Sequence, residues 1–124
     1  MNIIDSSLWF EYFYATLKDK RLIGIIEDST SQYVPCICLY EVFKKILIDK
    51  DEAAALSSVS FMQNASVINV TPQIAILAAR LSNQYKLPMA DSIIYATARI
   101  HGAEIYTQDR HFEGLENVRY FAKP

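Results

Sequence analysis

Apolar residues recur along the chain with two spacings, which predict short strands alternating with helices. Short apolar or β-branched runs suit strands, and an apolar residue every three or four positions suits an amphipathic helix. Strands are predicted at residues 2–4, 33–35, 66–70, 104–107 and 118–121. Helices are predicted at residues 8–13, 22–26, 38–49, 52–64, 74–85 and 89–101.

This alternation predicts an α/β fold. Strands separated by helices pair in parallel through crossover connections, and the helices then cover both faces of the sheet. Local signals agree with the predicted boundaries, because Ser6 and Ser7 offer hydroxyl caps to the first helix and Gly102 suits the end of the last one. The third helix has Glu41 in its opening turn.

The composition describes one globular domain that associates with other chains. A length of 124 residues supports one core, so residues 1–124 are predicted to form a single domain. Apolar residues make up 52% of the chain and charged residues 21%. The mean hydropathy of +0.09 is high for a soluble monomer, and there are eight Tyr and six Phe. We therefore expect a homodimer or another partner to cover part of the surface.

Charge and cysteine content exclude several functional classes. The net charge of −2 implies no broad basic face for duplex DNA, so any contact with nucleic acid is local. No apolar run approaches the ~20 residues of a membrane span and the start lacks a basic signal region, which predicts a cytoplasmic protein without a membrane partner. Cys36 and Cys38 form a poor zinc motif and are expected to be free thiols.

Four acids, Asp5, Glu41, Asp91 and Asp109, stand where an apolar strand ends or a helix begins. Each has a simple explanation alone, as a helix cap, a first-turn acid or a turn residue. Together they indicate a shared site, because strand ends and helix starts gather at one edge of an open α/β sheet.

Carboxylates gathered in this way repel one another unless a cation lies among them. Oxygen ligands favour Mg²⁺ or Mn²⁺, and such ions hydrolyse phosphodiesters with activated water. Competing motifs are missing: the chain has no G-x-S-x-G, no Walker A loop and no G-x-G-x-x-G, and its only imidazoles are His101 and His111. His101, at a helix end, suits a capping role. The sequence therefore favours a metal-dependent phosphodiesterase.

Four segments resemble the PIN-domain ribonucleases, and among them the VapC-type toxins of toxin–antitoxin pairs. They read I-I-D-S-S from Ile3, L-Y-E-V from Leu39, L-P-M-A-D-S-I-I-Y-A from Leu87 and T-Q-D-R-H-F from Thr107. The resemblance implies a three-layer α/β/α fold, an endoribonuclease site for Mg²⁺ or Mn²⁺, an RNA substrate and a small antitoxin partner. It assigns the four acids as catalytic metal ligands: Asp5, Glu41, Asp91 and Asp109.

The resemblance also implies roles for nearby hydroxyl groups. Ser6, or less favourably Ser7, and Thr107 are expected to orient the acids or bound water, with simple helix capping as the alternative for the two serines. Some relatives carry a further acid two positions after the fourth, where this chain has His111. One bound ion is therefore the minimum expected.

Basic and aromatic residues near these segments are candidates for substrate contact. The cations that suit phosphates are Lys44, Lys45, Arg99 and Arg110, with a solvated helix face as the alternative for the two lysines. Tyr40 and Tyr95 are able to stack on unpaired bases, although buried packing is the commoner role of such rings.

Two other functions remain open from the sequence. A receiver-like phosphoacceptor module has a similar size and acidic strand ends, but it needs adjacent acids after the first strand and a late Lys. Here Asp5 stands alone and no Lys lies between Lys86 and Lys123. The second alternative is a PIN-like fold that only binds a partner, against which the presence of all four acids argues.

Overall fold

Five short strands and six helices make up the computed structural model, which describes residues 1–123. The strands are β1 (Asn2–Ile4), β2 (Tyr33–Pro35), β3 (Ser66–Ile68), β4 (Glu104–Thr107) and β5 (Val118–Tyr120). The helices are α1 (Ser6–Phe13), α2 (Lys20–Glu27), α3 (Cys36–Asp49), α4 (Glu52–Met62), α5 (Pro72–Tyr85) and α6 (Met89–His101). Two 3₁₀ turns lie at Ser29–Ser31 and Arg110–Phe112.

The described strands pair only in parallel, as predicted. β4 lies between β1 and β5, and β2 pairs with β3. A parallel bridge between Asn2 and Gln32 joins the two groups, which gives the order β3-β2-β1-β4-β5. In this register Ile4 lies opposite Tyr106. The carboxyl ends of β1 and β4 therefore leave the sheet side by side.

One cluster of buried apolar side chains links the sheet to its helices. Ile3 and Ile105 on adjacent strands are fully buried, as are Leu8 of α1 and Ile94 of α6. Helices α5 and α6 pack on each other, and α3 packs on α4. The sequence alternation thus gives the three-layer α/β/α arrangement expected from the resemblance.

Some boundaries differ from those predicted. α3 begins at Cys36, so Glu41 lies in its second turn and the prediction that it lies in the opening turn is wrong. β3 ends at Ile68 rather than at residue 70. The predicted stop of α6 is confirmed, because Gly102 takes a left-handed conformation with φ of 63°.

Both cysteines are free thiols, as expected, with Cys38 buried and Cys36 half-buried. Among residues 1–123, no helix has the length and apolar character needed to cross a membrane.

Candidate metal centre

The four predicted acids come together in one cleft of about 670 Å³. Asp5 follows β1 directly, and Asp109 lies two residues after β4. Glu41 reaches the cleft from α3, and Asp91 from the first turn of α6. Asp5 is 3% exposed and Asp91 8% exposed, so both carboxylates are largely removed from bulk water.

Asp5 is held by three donors that all reach the same carboxylate oxygen. Its Oδ2 accepts hydrogen bonds from the Ser7 hydroxyl at 2.7 Å, the Thr107 hydroxyl at 2.9 Å and the Ser7 backbone N–H at 3.3 Å. Within residues 1–123, Oδ1 has no hydrogen-bond partner. One oxygen of Asp5 thus fixes the side chain and the other remains free to bind a ligand.

The two hydroxyls that hold Asp5 also join the ends of β1 and β4. The backbone N–H of Gln108 donates to the Ser7 hydroxyl at 3.0 Å, and that of Asp109 donates to the Thr107 hydroxyl at 2.9 Å. Each hydroxyl therefore accepts from the loop after β4 and donates to Asp5. This network fixes the position of Asp5 relative to the loop that carries Asp109.

Ser6 and Ser7 act on different acids, which the sequence did not distinguish. The Ser6 hydroxyl donates to Glu41 Oε1 at 2.7 Å, whereas Ser7, the less favoured candidate, donates to Asp5. Neither hydroxyl caps α1, because the Asp5 carboxylate occupies the N-cap position. The expectation that these serines cap the helix is therefore wrong.

His111 belongs to the same cluster, although from the sequence it was only the residue that stands in place of a further acid. Its Nδ1 lies 3.0 Å from Asp91 Oδ2 and 2.9 Å from Asp109 Oδ1. One atom each of Asp91, Asp109 and His111 lie within 4.8 Å of one another. Its position two residues after Asp109, in a 3₁₀ turn, is the sequence signal that could have identified it.

Burial, together with the nearby negative charges, favours the protonated forms of three of the acids. Burial raises the pKa of Asp91 from an ordinary value of 3.8 to about 8, and the charges of Asp109, Asp5 and Glu41 add to this rise. Burial also raises the pKa of Asp5, and the hydrogen bonds from Ser7 and Thr107, which lower it, offset only part of this rise. Burial raises the pKa of Glu41 as well. Without a cation, the folded cluster therefore holds protons that the unfolded chain releases.

Two lysines line the cleft, and one of them, Lys45, was predicted as a candidate for substrate contact. Lys45 pairs with Asp49 at 3.2 Å, and its ammonium group lies 5.6 Å from the ring centroid of Phe10. Lys123, which was not among the predicted candidates, also lines the cleft. Acidic side chains outnumber these two lysines in the lining.

The other candidates for substrate contact lie elsewhere. Lys44 and the exposed Tyr40 line neighbouring surface grooves, with the Lys44 ammonium 5.7 Å from the Tyr40 ring centroid. Arg99 stacks over Tyr95, which is 3% exposed and donates a hydrogen bond to the backbone oxygen of Glu116. Tyr95 is therefore a packing residue and does not offer a face to a base. Arg110 is exposed in the 3₁₀ turn after β4.

The raised pKa values predict a pH dependence for the metal-free protein. A carboxyl whose pKa is higher in the folded state stabilises the fold fully below its unfolded pKa and loses that contribution as the pH rises through the folded value. For Asp91 this window runs from 3.8 to about 8. Chemical denaturation in chelator should therefore show lower stability near pH 8 than near pH 5, by about 1–3 kcal/mol after screening.

The control for this pH dependence is Asp91→Asn, which cannot titrate at that position and should flatten the profile. Equal stability of the chelated wild-type protein at both pH values would contradict the crowding of these carboxylates.

The donor set of the cleft fits a hard divalent cation. Carboxylate oxygens converge from four elements, and Asp5 Oδ1 has no competing hydrogen bond from the described residues. A cation among them would offset the burial and the mutual repulsion that raise the pKa values of Asp5, Glu41 and Asp91.

A family model described as PIN domain matches residues 3–117. Among curated proteins, none matches the chain.

Solved structures resemble the chain over nearly its full length. A toxin–antitoxin complex from Klebsiella pneumoniae has a TM-score of 0.82 at 21% identity, covering 99% of this chain and 100% of that one. DNA-bound VapBC from Salmonella typhimurium has a TM-score of 0.78 at 17% identity, covering 98% and 96%. VapC20 of Mycobacterium tuberculosis, a sarcin–ricin loop cleaving toxin, has a TM-score of 0.76 at 17% identity, covering 96% and 99%. At these identities the likeness shows a shared fold.

Proposed function

The chain belongs to the PIN-domain family, and on this premise we propose that it is a Mg²⁺- or Mn²⁺-dependent endoribonuclease acting as the toxin of a toxin–antitoxin system. The observation that carries the proposal is the convergence of Asp5, Glu41, Asp91 and Asp109 in one cleft. RNA as the substrate is supported by the similar fold of VapC20, a sarcin–ricin loop cleaving toxin.

The four acids would hold the cation. When bound, a divalent cation in such a site polarises the scissile phosphate and lowers the pKa of a water that attacks it. Asp5 would contribute Oδ1, since its Oδ2 is already occupied by Ser7 and Thr107. The network thus presents a defined oxygen to the cleft without a large loss of side-chain entropy on binding.

Ser6, Ser7 and Thr107 act as positioning residues in this proposal. Ser6 orients Glu41 at 2.7 Å, and the other two hydroxyls orient Asp5. Groups that hold metal ligands in place typically change metal affinity or activity by about 10–100-fold when they are removed.

Thr107→Val should therefore lower RNA cleavage by about 10–100-fold and raise the cation concentration needed for half-maximal activity. Valine keeps the shape of the side chain but removes the donor to Asp5 and the acceptor for the Asp109 N–H. Cleavage rates measured over a Mn²⁺ titration give both quantities.

Thr97→Val is the matched control, because Thr97 is also buried but its hydroxyl bonds only to the backbone oxygen of Ile93 within α6. A Thr107→Val enzyme with the same rate and the same cation requirement as the Thr97→Val enzyme would exclude the positioning role.

A protein partner is the second part of the proposal. The similar structures from Klebsiella pneumoniae and Salmonella typhimurium are toxin–antitoxin assemblies. In this chain, Tyr40 and Leu47 line a groove of about 370 Å³ between α3 and α4 and are 58% and 42% exposed. This groove shares Tyr40 with a second groove that reaches Glu41 of the acidic cleft, so an antitoxin segment bound along both would block access to the site.

We extend the proposal to assembly and location. Ile76 of α5 and Met89 of α6 are 57% and 71% exposed, and apolar side chains of this kind would be covered in a homodimer. Residues 1–124 would act as one domain in the cytoplasm, where RNA and an antitoxin are both accessible.

Membership of the PIN-domain family excludes the receiver-like alternative. A nuclease and a non-catalytic PIN-like binding protein can be distinguished only by measuring RNA cleavage. The test is cleavage of a mixed RNA pool by the purified protein with Mn²⁺, with Mg²⁺ and with chelator. We expect cleavage with a cation and none with chelator. Equal cleavage in chelator would refute the metal dependence, and intact RNA under every condition, together with measured cation binding, would favour the binding protein.

A further inference from the structure

In the cluster of Asp91, Asp109 and His111, the imidazole of His111 is the one group among the described residues that could bind a cation through nitrogen. Its Nδ1 lies 3.0 Å from Asp91 Oδ2 and 2.9 Å from Asp109 Oδ1. The side chain is 55% exposed, so the ring is accessible to solvent and is not part of the packed core. Of the two histidines in the chain, only this one lies among the acids.

The backbone holds His111 in this position. The His111 N–H donates to Asp109 Oδ1 at 2.9 Å, which caps the 3₁₀ turn, and the next residue, Phe112, is fully buried in the core. The turn is therefore anchored on both sides of the imidazole. A ligand set by its backbone in this way loses little freedom when it binds a cation.

The separations suit coordination as well as hydrogen bonding. In an octahedral site with bonds of about 2.1 Å, neighbouring ligand atoms lie about 3.0 Å apart. The distances from His111 Nδ1 to the two carboxylate oxygens have this value without any movement of the side chains. His111 Nδ1 therefore lies at the separation expected for a ligand adjacent to each of these two oxygens in one coordination sphere.

We infer that His111 Nδ1 is a direct ligand of the cation, beside Asp91 and Asp109, and that it shifts the site from Mg²⁺ towards Mn²⁺. The inference rests on the proposed metal site and specifies its chemistry. Oxygen-only sites suit Mg²⁺, whereas imidazole favours transition metals that accept nitrogen. A nitrogen in place of one oxygen therefore weakens Mg²⁺ binding more than it weakens Mn²⁺ binding.

The test is pulsed electron paramagnetic resonance on tag-free protein loaded with Mn²⁺, which detects nitrogen bonded to the ion. We expect a ¹⁴N coupling in the wild-type protein that is lost in His111→Gln and kept in His101→Gln. His101 is the matched control because it lies at the far end of α6, next to the Tyr33 ring. The Mn²⁺ affinity, measured by titrating each protein with Mn²⁺, should fall by about tenfold or more in His111→Gln and not in His101→Gln.

His111→Asp supplies an oxygen in place of the nitrogen and tests the preference separately. Competition between Mg²⁺ and Mn²⁺ should show that this variant lowers the Mn²⁺/Mg²⁺ affinity ratio by about tenfold. Circular dichroism of each variant establishes that the fold is retained.

The outcomes distinguish this inference from the function on which it rests. Mn²⁺ binding without a nitrogen coupling, or an unchanged affinity ratio in His111→Asp, would overturn the role of His111 and leave the carboxylate site intact. A wild-type protein that binds no Mn²⁺ at all would overturn both the ligand role and the metal site.

Discussion

Replacing Asp91 by Asn should reduce RNA cleavage by about a thousandfold or more, equivalent to roughly 4 kcal/mol of transition-state stabilisation. Asparagine has nearly the same shape but lacks the charge that would bind the cation. Asp91 is 8% exposed and approaches three other acids, so no other group in the described cleft can take its place. Single-turnover cleavage rates at saturating Mn²⁺ measure the effect.

The same substitution should not unfold the protein. Burial raises the pKa of Asp91 to about 8, which means that its charged form is disfavoured in the metal-free fold. A neutral Asn at this position is therefore expected to be at least as stable as the wild-type residue above neutral pH when chelator is present. Activity and stability should thus change in opposite directions, which a merely structural role would not produce.

Glu116→Gln is the matched control for Asp91→Asn, since Glu116 is an exposed acid that does not line the cleft. It should leave the cleavage rate within about twofold of the wild-type rate, because isolated surface charges contribute little. If Asp91→Asn cleaved RNA as fast as Glu116→Gln, the assignment of the cleft as the active site would be wrong.

Trp9→Ala should destabilise the fold by about 3–5 kcal/mol, a large part of the total stability of a small domain. Trp9 is 1% exposed, and its ring stacks on Phe13 with centroids 5.5 Å apart. It also meets the ring of Phe61 edge-on at 6.2 Å, which ties α1 to α4. Alanine would leave a cavity that these rings cannot fill, and equilibrium denaturation in urea measures the loss.

The control for Trp9→Ala is Ile76→Ala on the exposed side of α5, which should change stability by about 0.5 kcal/mol or less in the isolated monomer. Similar denaturation midpoints for the two variants would show that the aromatic cluster is not part of the stabilising core. The loss in Trp9→Ala should also weaken cation binding, because α1 begins with the serines that hold Asp5 and Glu41.

Proton and cation binding are linked at this site. Three of the acids that would bind the cation, Asp5, Glu41 and Asp91, have raised pKa values without it, so cation binding should release protons and strengthen as the pH rises towards 8. The metal-free protein should lose stability at higher pH, and adding the cation should restore that stability. Both changes report on the same acidic cluster. Their agreement would connect the stability data with the cleavage data.

The amino-acid sequence alone determined the order of strands and helices along the chain and the place of the four acids. Apolar spacing is a local property, so the parallel α/β arrangement followed from it, and an acid such as Asp5 after a strand or Asp91 at a helix start reaches the same sheet edge whatever the details of packing. The boundaries were less exact, as Glu41 shows, because the start of α3 depends on how its first turn packs as well as on its apolar pattern.

Only the tertiary structure decided which groups meet within the cleft. The register that sets Ile4 opposite Tyr106 brings the Thr107 hydroxyl to Asp5, and the 3₁₀ turn after β4 directs His111 towards Asp91. Packing also separates Ser6 from Ser7 in role. These contacts join residues that are distant in the chain, and strand pairing and helix packing set the distances between them. Because a hydrogen bond forms or is lost over less than 1 Å, the sequence pattern could not predict which of them form.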